Sequence, residues 1–200
     1  MQDTLPDLLT QASAKLGLDP VTSITSDTED NITWGAIWRP VLHRCLSIYR
    51  WNFSTRTQEL SRLLAAPDLP GYQYQFDLPS DFHVVRAVLG AGGLSTVDWT
   101  YDDGRLLSNS DRVFLRYGRT YNESTITALP NWFAAFFVSS LAYEASEKLV
   151  GIGSVRDSIG RDTGVFFGAA KTRDAELVPR TQIGPGRWTG VRWGGLRWGR

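Results

Sequence analysis

The chain has 200 residues, a length that fits one domain or one domain with an appendage. Hydrophobic residues make up 42% and charged residues 21%, which excludes global disorder and allows a buried core. Lys plus Arg equals Asp plus Glu at 21 each, so a surface that is basic all over is excluded.

That zero net charge is the sum of two unlike parts. The last acid is Glu176, and after it come Arg180, Arg187, Arg192, Arg197 and Arg200. Residues 180–200 therefore carry +5 and residues 1–179 carry −5. An asymmetry of this kind marks an interaction arm on a folded body.

In chain order, residues 3–16 read as a first helix. Leu5, Leu8, Leu9, Ala12 and Leu16 share one face, Asp3 or Thr4 can cap the start, and Gly17 with Pro20 ends it. A second helix runs over 31–50. Trp34, Trp38, Val41, Cys45 and Ile48 make its apolar stripe, and the preceding acids favour the positive end of its dipole. Pro40 marks either a kink or the meeting of two shorter helices.

Over 52–118 the period changes to two. Phe53, Thr55 and Thr57 alternate with polar residues, as do Tyr72, Tyr74 and Phe76. Asp102-Asp103-Gly104 is a tight-turn signal between short strands, so this region reads as one small antiparallel sheet. Helix returns over 130–150. Pro130 is set at its first position, and Phe133, Phe137, Leu141, Ala145 and Leu149 form a stripe fit for a central core helix. A fourth helix follows over 154–177, capped by Ser154 with Asp157 three residues on. The expected fold class is α+β. It is a bundle of about four helices with a small antiparallel sheet inserted between helices 2 and 3, ending in an extended arm at 180–200.

Site signals are sparse. Cys45 is the only cysteine and lies on an apolar stripe, so neither a disulfide nor a zinc cluster is expected, and no metal or other cofactor is implied. His43 and His83 show no partner pattern and read as structural or surface residues. The segment Gly164 to Thr172 only faintly resembles a phosphate loop, because Ala170 stands where a glycine must precede the lysine. Gly160, Gly164 and Gly168 share a helix face, where glycine costs roughly 1 kcal/mol against alanine. They are candidates for close packing against another backbone, and Trp34 is a further candidate for a contact between subunits. Asp77, Asp81, Asp102 and Asp103 are the acids available to a hydrolase, although turns account for them equally well.

No secretory leader is visible, and the most apolar stretch, Trp132 to Tyr143, has only 12 residues. That is too short to span a bilayer, so a soluble protein made inside a cell is expected.

The strongest signal is the arm. Arg187-Trp188, Arg192-Trp193 and Arg197-Trp198 repeat at five-residue steps, and Arg200 closes the chain. A five-residue step matches neither helix nor strand, and the interspersed glycines oppose a helix. Arg and Trp are enriched at interface hot spots. The arm can serve a protein groove or stack on nucleic acid through its tryptophans. Residues 184–200 span at most roughly 56 Å when extended.

The order of elements resembles the tail tubular protein A family, the head-to-tail adaptors of short-tailed bacteriophages. The resemblance runs over roughly residues 3–178. It is carried by Arg50-Trp51-Asn52-Phe53 after the second helix, Phe76-Asp77-Leu78-Pro79-Ser80-Asp81-Phe82, the turn at Asp102-Asp103-Gly104, Leu129-Pro130-Asn131-Trp132-Phe133, and Leu141-Ala142. It implies a non-enzymatic virion protein assembled in the host cytoplasm. Its copies, most often twelve, would form a ring between the portal protein and the tail nozzle protein, around a channel for viral DNA. Adaptors of this kind commonly grip the portal with the C-terminal segment, which assigns that role to Arg187, Trp188, Arg192, Trp193, Arg197, Trp198 and Arg200. The Arg-Trp-Gly character of the arm departs from the family pattern. A nucleic-acid-binding protein and a virion-associated cell-wall hydrolase are the alternatives.

Overall fold

The computed structural model describes residues 3–21, 29–91, 97–151 and 153–178. The arm at 180–200, with all seven of its candidate contact residues, lies outside the described residues.

Four helices are present: α1 (Leu5–Lys15), α2 (Glu29–Ser47), α3 (Asn131–Leu149) and α4 (Ser154–Glu176). The ends of α1 follow from local chemistry. The Asp7 carboxylate accepts hydrogen bonds from the Thr4 N–H at 2.8 Å and the Thr4 hydroxyl at 2.6 Å. At the other end Gly17 takes a left-handed φ of 72°, and Gly17 and Leu18 donate back to Ala14 and Ser13. Helix α2 continues through Pro40 as one element. Two expected caps shift by one residue. Pro130 is the extended residue before α3, and Gly153 is the one before α4, with Ser154 already helical.

Helix α3 is the hub of the bundle. Phe133, Phe137, Leu141 and Ala145 are buried, and α1, α2 and α4 all pack against it. Trp34 is 1% exposed and sits in this core, so it is a packing residue and not a subunit contact.

Six strands lie between α2 and α3 in the chain: β1 (Thr55–Glu59), β2 (Tyr74–Asp77), β3 (Phe82–Leu89), β4 (Trp99–Asp102), β5 (Arg105–Ser108) and β6 (Phe114–Arg119). They form two three-stranded antiparallel sheets, ordered β1-β6-β3 and β2-β5-β4, where one sheet was expected. Burial explains the division. Phe76 and Leu106 from one sheet and Val88, Leu115 and Tyr117 from the other enclose a second core, which one flat sheet could not cover. The sheets are also joined at their margins. Leu63 donates to Gln75 and Asp77 to Ser61 on one side, and Val97 donates to Val88 on the other. The β4–β5 turn is the expected one, with Asp103 at φ 40° and Gly104 at φ 76°.

The segment between α2 and β1 packs into the helical core and leads the chain to the first strand. Trp51 is fully buried, and its indole N–H donates to the Cys45 carbonyl at 2.8 Å. The rings of Tyr49, Phe133, Phe136 and Phe167 lie 4.9 to 6.1 Å from it, so one indole touches rings from α3 and α4. Asn52 and Phe53 then meet Asp174 of α4. The buried Asp174 carboxylate accepts the Asn52 N–H at 2.8 Å, the Phe53 N–H at 3.1 Å and the Asn52 side-chain amide at 3.0 Å. Among the described residues, no helix is long and apolar enough to cross a membrane.

Replacing Asp174 by Ala removes the acceptor from two backbone donors and one amide. The expected loss is about 3 kcal/mol, read as a lower urea midpoint at unchanged slope. Asp174→Asn keeps one acceptor oxygen and should lose less.

Candidate functional site

The base of the arm is the end of α4. Leu177 and Val178 follow the helix and are about half exposed. The Leu177 N–H donates to the Asp174 carbonyl at 3.2 Å. The carboxylate that holds the α2–β1 segment thus belongs to the residue that closes the helix leading to the arm.

The glycine face of α4 divides. A Cβ on Gly160 would stand 3.1 Å from Cε2 of Tyr143, so what Gly160 approaches is a side chain of α3 and not the backbone expected there. The same atom on Gly164 or Gly168 would meet nothing within 4 Å, and Val165 between them is 70% exposed. Among the described residues, only Gly160 is thus explained by packing. Arg156 fastens this end of α4, pairing with Glu147 at 2.8 Å and lying over the Tyr143 ring at 5.0 Å.

Each of the four loop acids has a structural setting. Asp77 and Asp102 both stand opposite Arg105 across the β2-β5-β4 sheet. Asp103 occupies the tight turn. Asp81 accepts the Tyr117 hydroxyl at 2.7 Å and pairs with Arg56 at 3.6 Å, beside a cleft of about 520 Å³. Burial, helped by the bond to Asp81, pushes the Tyr117 hydroxyl up to about 12, so it stays protonated as the donor. No group of three or more His, Cys, Asp or Glu among the described residues is placed to hold a metal. Cys45 is buried, and burial pushes its thiol up to about 11, which makes it a poor nucleophile at neutral pH.

The two histidines, unremarkable in sequence, come together. Their rings lie 5.0 Å apart, edge to face. Nε2 of His43 is 3.1 Å from the Thr120 hydroxyl, and Nε2 of His83 is 2.8 Å from the Ser47 hydroxyl. These contacts tie α2 to β3 and to the residue after β6. The only local signal is that His43 and Ser47 are four apart on one helix face. Their partners are 77 and 36 residues away, beyond the reach of periodicity.

A scan against protein-family models and a search of the curated proteins both find no match.

Two predictions follow from this geometry. Gly164→Ala and Gly168→Ala should each stabilise the isolated subunit by roughly 1 kcal/mol, because the helix gains and nothing is struck. Gly160→Ala should gain less or lose, and chemical denaturation separates the three. The second concerns His83, which burial first and His43 next hold below its ordinary value of 6.5. The unfolded chain therefore takes up that proton first as pH falls, and stability drops below about pH 6.5. Melting curves at pH 7 and 5.5 in phosphate-free buffer should show a smaller drop for His83→Asn than for the wild type.

Proposed function

We propose that the chain is a structural head-to-tail adaptor of a short-tailed bacteriophage, and not an enzyme. Its copies form a ring, twelvefold as the resemblance implies, between the portal protein and the tail nozzle protein. Viral DNA passes through the ring without sequence-specific binding, and the assembled protein resides in the neck of the virion. The body is the helical bundle with its β region inserted between α2 and α3, and the extended arm is the strap that grips the portal.

The observation that carries this reading is the Arg-Trp repeat at 187–198, at the end of a chain whose residues 1–179 are net acidic. Tryptophans that cannot be covered by a short glycine-rich segment need pockets elsewhere, and arginines beside them need acids. The Asp174 clamp supports the reading, because it fixes the point from which the strap leaves the body. A ring of such straps binds with high effective concentration, so weak single contacts sum to firm attachment. The settings of Asp77 and Asp102, both opposite Arg105, and of Asp81, bonded to the Tyr117 hydroxyl, support a non-enzymatic role. Exposed Gly164 and Gly168, with open space above them, are the residues assigned to subunit packing.

Deleting residues 184–200 should leave the body folded and abolish co-assembly with the portal in a pull-down or by light scattering. Unchanged co-assembly removes the strap mechanism. Salt-sensitive capture of DNA by the arm in place of portal binding transfers the arm to the nucleic-acid reading.

A further inference from the structure

Two other surfaces each already hold an ion pair. The cleft at Asp81 has its Arg56 pair, and the apolar groove beside Cys45 is bridged by Arg44 and Glu144 at 2.7 Å. The junction of α2 with β3 differs. Nη2 of Arg50 lies 3.4 Å from the backbone carbonyl oxygen of Arg86, and the charge of Arg50 is felt at the Arg86 guanidinium. Neither Arg50 nor Arg86 forms an ion pair among the described residues.

Arg86 is held in an unusual way. Its Nε is buried and finds no acceptor among the described residues. The guanidinium lies on the bare backbone of β6, where a Cβ on Gly118 would stand 3.3 Å from Nη2, 3.4 Å from Nε and 3.0 Å from Cγ1 of Val84. Only glycine leaves that space. Burial first, and the charge of Arg50 next, push the Arg86 guanidinium below its ordinary value. Buried donors in proteins are nearly always paired, so an orphaned Nε beside a second arginine points to an acceptor from outside the fold.

We propose that the junction of α2 with β3 binds a tetrahedral oxyanion of the phosphate class, gripped by Arg50 and Arg86 over Gly118. A guanidinium fork matches phosphate oxygens two at a time, and two such forks match a dianion in charge. Binding turns the Arg86 fork so that Nε and Nη2 face the anion together. The site is independent of the adaptor reading. Its ligand is either free inorganic phosphate or a phosphodiester group of a nucleic-acid strand.

The test is thermal unfolding of the full chain, titrated with sodium phosphate against sodium chloride of equal ionic strength. The wild type should show a saturable rise in melting temperature specific to phosphate. The exposed Arg50→Gln should weaken the apparent affinity roughly tenfold or more. Arg86→Lys keeps the charge and most of the packing but loses the fork, and should weaken binding as well. Anisotropy of a short labelled DNA duplex separates the two sources. Duplex binding that phosphate competes away and Arg50→Gln abolishes assigns the site to a nucleic-acid strand. A phosphate response with no such duplex binding assigns it to the free ion. Equal responses to phosphate and chloride, or an Arg50→Gln variant that responds like the wild type, overturn the site. Duplex binding untouched by Arg50→Gln belongs to the arm and does not rescue it.

Discussion

The bond between Asp174 and the backbone of Asn52 and Phe53 is the constraint on which the arrangement of the body rests. Helix α4 is long but shallowly seated. Of its 23 residues, Ile159, Ala170 and Asp174 alone are buried among those described. Hydrophobic burial therefore contributes less to its position than it does for α3. A carboxylate buried near a helix C-terminus opposes the helix dipole, and losing its hydration is costly. It is tolerable because three donors converge on it. The same segment inserts Trp51 among rings of α3 and α4, so the turn from the helical core to the sheet core and the placement of α4 are fixed together.

Much of the helical half was legible from local rules. The faces of α1 and α3, the Thr4 start, the Gly17 stop and the Asp103-Gly104 turn each follow from a few neighbouring residues, and each lies where those residues place it. Pro40 left two outcomes open, and packing of the surrounding apolar stripe keeps a single helix through it. The β region was legible as strands but not as sheets. Alternation tells which residues share a face and says nothing of which strands pair, and here six short strands close over a core instead of lying side by side.

The residues that proved most informative are those whose meaning is set by distant partners. No sequence motif singles out Asp174. Its one local oddity is an acid in the last turn, where the dipole disfavours it. Gly118 belongs to no sequence motif and is the floor beneath Arg86. The glycine face of α4 reads as one stripe, yet one member faces Tyr143 and two face open space. Local inconsistency of this kind is where sequence reasoning meets long-range structure.

The division of charge gives the proposed adaptor its working parts, an acidic body that holds a fixed frame and a cationic, tryptophan-bearing strap that leaves it beyond α4. The most direct measurement of that claim is an electron cryomicroscopy reconstruction of the assembled particle with this chain traced. The account predicts a closed ring of its copies between portal and tail, with residues 184–200 of each copy seated on the portal. A chain found outside the neck, or a ring whose arms make no contact with the portal, contradicts it.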